Sequence, residues 1–173
     1  MMNTDTSAHG VPVMRDRPAG TARRLVARVA LLLLALAGLY QGIWAQVAPR
    51  SFFDDFPGGM SWVADDGPYN QHLVRDIGGL VNGLSVVAIV AACSLSTTLL
   101  VANALGWWVY GVPHLVYHLA HTLDDSGMQA LNVVVLGAEI VLPLLGLLAV
   151  SWGRDPGPRP STQRARPTTA DMH

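Results

Sequence analysis

The chain has 173 residues, 51% of them hydrophobic and 13% charged, with a net charge of −1, no lysine and a single cysteine, and its mean hydropathy is +0.35. This balance leaves little material for a soluble domain, and one cysteine excludes an internal disulfide. Four stretches, roughly residues 29–48, 77–95, 98–117 and 130–150, approach or reach the 20 or so apolar residues that a helix needs to cross a bilayer core.

Residues 1–24 mix Thr, Ser, Pro, Gly and charge without apolar periodicity and read as a disordered tail. The first apolar stretch then follows Arg23 and Arg24, as a secretory signal would. Its length exceeds that of a signal h-region and no A-x-A site closes it, so it reads as an uncleaved anchor, with Tyr40, Gln41 and Trp44 toward its far end as interfacial residues.

Between the first and second spans lies SFFDDFPGGMSWVADDGPYNQHLVRD. Pro57, Gly58 and Gly59 signal one turn, Asp66, Gly67 and Pro68 another, and Asn70 is placed to cap the next helix. With Phe52, Phe53, Phe56, Met60, Trp62 and Tyr69, the loop is too apolar to float in water and reads as a short amphipathic lid over one end of a bundle. Its two Asp-Asp pairs lack the spacing of a calcium loop and read as solvated surface.

The second span carries His72, Arg75, Asp76, Gly79, Asn82 and Gly83 at helical spacing, with small residues that permit close helix approach. On the third, Asn103, Trp107, Tyr110, His114, His118 and His121 advance by steps of 3 and 4, forming one polar and aromatic stripe that cannot favour lipid. Pro113 and Pro143 cannot donate to the carbonyls of Val109 and Glu139, so each leaves an acceptor that needs another partner inside a membrane. The fourth span adds Gln129, Asn132 and Glu139, the last about halfway across; Glu139 either relays protons or stays neutral and hydrogen-bonded to Asn103 or Asn132. Residues 153–173, rich in Pro, Arg and Thr, read as a second disordered tail.

Orientation follows from arginine. Five precede the first span, four follow the last, and only Arg50 and Arg75 flank the first loop, whereas the aspartates gather in the first and last connections. The positive-inside bias puts both termini in the cytoplasm and the lid on the outer side of a plasma (inner) membrane. Arginine-only, alanine-rich usage fits a high-GC bacterial genome.

The expected fold is therefore all-α: a four-helix transmembrane bundle over residues 25–152, with an outer-face loop lid. His72, Arg75, Asp76, His114, His118 and His121 fall at similar depth and are the candidate polar site; Glu139, Asn103 and Asn132 form a candidate intramembrane proton site. Imidazole suits a metal, with His114 and His118 joined by His72, or a haem with His72 and a third-span histidine as axial ligands. A quinone or lipid headgroup against Trp107 and Tyr110 is a further option, and headgroup-level histidines bonding lipid and one another need no ligand. P-loop, dinucleotide, C-x-x-C and H-E-x-x-H signatures are absent, and no basic folded face offers itself to nucleic acid.

The strings PYNQHLVRDIGGL and VPHLVYHLAH, together with four spans and a polar loop after the first, resemble small bacterial membrane proteins of the DoxX-like type. The resemblance covers roughly residues 25–152 in architecture. It implies a respiratory or redox accessory role, quinone-linked or in assembly, with partner subunits, and it transfers no catalytic residue. The expectation is an integral membrane accessory or binding protein, contacting lipid and either a membrane partner or further copies of itself; the alternatives are a metal- or quinone-dependent oxidoreductase and a proton-coupled carrier.

Overall fold

The computed structural model describes residues 18–123 and 125–151. Apolar residues dominate every long segment, so the chain forms helices whose backbone groups pair internally, the arrangement a bilayer demands. The elements are α1 (Pro18–Val47), α2 (Pro49–Asp55), a single 3-10 turn (Ala64–Asp66), α3 (Gln71–Ser94), α4 (Thr97–Ala120) and α5 (Ser126–Ser151). Four of them, α1, α3, α4 and α5, are long and apolar enough to cross a membrane.

The punctuation is local chemistry. Pro49 opens α2 in the first-turn position where its missing N–H costs nothing. Asn70 caps α3 through a hydrogen bond from the Leu73 amide at 3.1 Å, as its sequence position predicts. Leu95 turns the chain left-handed at φ 51° to end α3, and Ser96 caps α4 by accepting from Leu99 N at 3.3 Å. Asp125 accepts from Met128 N at 2.8 Å in the first turn of α5.

The helices run longer than hydropathy alone indicates. α3 starts at Gln71, about two turns before the expected span, and α1 starts at Pro18, so residues 18–24 are helical where a disordered tail was expected. Polar residues at these ends extend a helix without raising its hydropathy, which is why the apolar run underestimates it. The rest of both expected tails lies outside the described residues.

Chain order and spatial order coincide: α1 packs on α3, α3 on α4, α4 on α5 and α5 back on α1, while the diagonal pairs do not meet backbone to backbone. The α1–α3 seam is the most extensive and the α3–α4 seam the slimmest. Three buried apolar layers stack along the axis. Ala27, Leu31, Ala91, Ala92, Leu95 and Leu100 close one end; Leu34, Ala35, Val81, Ala88 and Trp107 fill the middle; Ala45, Phe52 and Val74 seat the lid at the other. Arg28 reaches the Ala92 carbonyl at 3.3 Å at the closed end, a cation near the C-terminal end of α3.

The inter-span loop is a lid, as its composition predicts. Phe52 and Phe56 stack at 4.7 Å and Trp44 of α1 meets both, at 6.1 and 5.9 Å. Ser61 donates to the Asp54 carbonyl at 2.7 Å, and the Trp62 amide to the Phe56 carbonyl at 2.9 Å. Arg50 pairs with Asp54 at 2.7 Å and lies over Tyr69 at 5.0 Å; the hydrogen bond to Asp54 raises the guanidinium further above its usual range.

Candidate functional site

Beneath the lid the bundle holds a cavity of about 340 Å³, a volume typical of small-molecule sites. Every element at this end contributes. α1 supplies Gln41; the lid supplies Phe52, Phe56, Trp62, Val63 and Asp66; α3 adds Leu73, Val74 and Ile77; α4 brings Tyr110, His114 and His118; α5 brings Asn132, Val135, Leu136 and Glu139. The walls are thus aliphatic and aromatic, interrupted by a few converging polar groups.

Two histidine–carboxylate pairs organise those groups. His114 Nδ1 lies 3.9 Å from Glu139 Oε2, joining α4 to α5. His118 Nε2 lies 3.8 Å from Asp66 Oδ2, joining α4 to the lid. One turn of α4 separates the two histidines, and their rings are 5.0 Å apart. The other nitrogen of His118, Nδ1, is 3.2 Å from Asn132 Nδ2, so the imidazole is gripped between the lid and α5. Gln129 fixes the same turn by donating to the His118 carbonyl at 3.1 Å. On the opposite wall, Gln41 donates to the Tyr110 hydroxyl at 3.4 Å, a contact that crosses the bundle diagonally.

Several polar atoms here are buried without a partner: Glu139 Oε2, His114 Nδ1, the Trp62 indole N–H and, deeper, Trp107 Nε1 and both amide atoms of Asn103. Each group taken from water without a replacement costs about 1 to 3 kcal/mol. Of these residues, Glu139, His114 and Trp62 line the cavity, whereas Asn103 and Trp107 lie outside its lining. Below Asn103 the column ends against Leu100 and the apolar layer around it, so the polar interior opens toward the lid alone.

The third-span stripe is real: Asn103, Trp107 and His118 are buried on α4, and His114 and Tyr110 face the cavity. The expected convergence of the second span is not. His72 and Asp76 pair with each other at 3.3 Å on an exposed face, with side chains 88% and 60% accessible, and Arg75 is exposed beside them. α3 turns Val74, Gly78, Val81, Ser85 and Ala88 inward instead, because α1 approaches that face closely: a Cβ on Gly42 would stand 2.8 Å from the Gly78 carbonyl, and one on Gly78 would stand 2.8 Å from that of Gly42. Small residues, not polar ones, mark the buried side.

His121 also leaves the site. It caps the end of α4, exposed, stacked on Tyr117 at 4.2 Å. Glu139 bonds neither Asn103 nor Asn132; Asn132 serves His118, and Asn103 has no partner. Asp66, read as solvated surface, is exposed and also faces His118 from the lid, a contact that spans 52 positions of chain and so has no local sequence signal. Among the described residues no group of three or more His, Cys, Asp or Glu side chains could hold a metal ion. His72, exposed and paired with Asp76, does not line the cavity with His114 and His118. Near Pro143 inside α5, the Trp108 indole donates to the Ile140 carbonyl at 3.0 Å, next to the Glu139 carbonyl to which Pro143 cannot donate.

No protein-family model, no curated protein and no solved structure matches this chain.

Proposed function

We propose that this membrane protein binds a small, largely apolar molecule in the lidded cavity, using His114, Glu139, His118 and Asp66 to fix its polar part. The observation that carries this reading is the coincidence of a roofed volume of about 340 Å³ with unpartnered buried polar atoms on its wall. The apolar layer beyond Asn103 favours a dead-ended binding site over a through-path. In this reading the arginine bias sets both termini in the cytoplasm of the inner membrane and the lid outside.

The test is the content of the protein itself, purified from native membranes into lipid nanodiscs and extracted with organic solvent. A stoichiometric small molecule recovered from the wild type and missing from Leu136→Trp, which fills the cavity, is the expected result. Equal, background-level extracts from both would remove the reading. A second reading, a quinone-reactive site of an accessory subunit in keeping with the DoxX-like likeness, is favoured by Gln41 and Tyr110, whose amide and hydroxyl can donate to ring carbonyls. Its mark would be an extract whose absorbance changes on borohydride reduction.

A further inference from the structure

The lining has an electrostatic bias independent of its size. Among the described residues, two carboxylates, Glu139 and Asp66, face the cavity and no arginine does; the chain has no lysine. Glu139 Oε2 is buried and unpartnered, on a residue only 8% exposed. Its neighbour His114 stands 3.9 Å away, too far for a hydrogen bond. The remaining wall includes Trp62, Phe52, Phe56 and Tyr110, whose ring faces carry the negative quadrupole that attracts ammonium groups. An anion would meet two carboxylates and no permanent cation, and a hydrated metal ion would meet hydrocarbon.

Resting on the reading of the cavity as a ligand site, we propose that its ligands are lipophilic ammonium cations, held by Glu139 and the aromatic wall. The cation would meet the His114–Glu139 pair at the cavity wall. The charged and titratable groups facing the pair are Tyr110 and His118 from α4 and Asp66 from the lid; α1 presents neutral Gln41, α3 only Leu73, Val74 and Ile77, and α5 otherwise Asn132, Val135 and Leu136.

The experiment uses the full chain in nanodiscs with benzyltrimethylammonium, a cation whose charge is fixed at every pH, beside its uncharged carbon analogue neopentylbenzene and the anion benzenesulfonate. Binding is read by equilibrium dialysis against protein-free discs. The cation should bind best, and Glu139→Gln should weaken it by roughly ten- to a hundredfold while leaving neopentylbenzene binding unchanged, which shows that the cavity persists. Equal or tighter binding of neopentylbenzene than of the cation by the wild type overturns the cation inference and leaves the cavity as a binding site. A cation affinity indifferent to Glu139→Gln does the same. Binding of none of the three overturns both.

Discussion

His118 is the side chain on which most of the site's geometry converges, since lid, α4 and α5 all meet at its ring. Replacing it with alanine strands Asn132 and releases Asp66, and should lower stability in detergent by about 1 to 2 kcal/mol. His121→Ala removes only a stacked, exposed ring and should change stability by less than about 0.5 kcal/mol. Thermal unfolding of the two variants, followed by helix content, checks the contrast; equal shifts would mean that the bond to Asn132 carries no weight. The same residues show what could be read in advance. The steps of 3 and 4 from Asn103 to His118 identify one face of one helix, and a polar face in lipid must turn inward, so the inward turn of His114 and His118 was legible, and Glu139 was legible separately as a carboxyl halfway along an apolar span. Periodicity alone could not say that His72, Arg75 and Asp76, equally well aligned, would turn outward, because they lie at the helix end where water is an alternative partner.

At the scale of elements, the α1–α3 seam decides how α3 is rotated. The Gly42–Gly78 approach leaves no room for a methyl group on either backbone, and Gly78→Ala should destabilise the bundle by about 1 to 3 kcal/mol through forced separation of the helices. Gly83→Ala, where an added Cβ meets nothing within 4 Å, should be neutral or slightly stabilising from the gain in helix propensity. Denaturation in mixed micelles would separate the two, and similar losses at both positions would refute close packing as the cause. The four spans and the lid were readable from hydropathy and turn residues, and the turn at Asp66–Pro68 with the cap at Asn70 placed the lid's exit. Which glycines mark contact was not readable: Gly79 and Gly83 look as suitable as Gly78, and only the meeting of two backbones distinguishes them.

For the molecule as a whole, the four candidate spans among the described residues together with the arginine bias carry the proposed orientation, both ends in the cytoplasm and the lid outside. Cys93, exposed at the end of α3 away from the lid, and Met60, exposed in the lid, lie at opposite ends of the bundle. In intact cells a membrane-impermeant maleimide should label Met60→Cys in a Cys93→Ser background, whereas Cys93 itself should react only after permeabilisation. The opposite pattern would invert the protein in its membrane.

Because neighbours in the chain are neighbours in space, the bundle divides into two antiparallel hairpins, α1 with α3 and α4 with α5. The first carries the lid, its aromatic residues and Asp66; the second carries both histidines, Asn132 and Glu139. Neither half alone lines the lidded cavity. A molecule that settles between them consequently acts as a bolt across the joint, holding the halves together by mass action, and occupancy and assembly become two descriptions of one equilibrium.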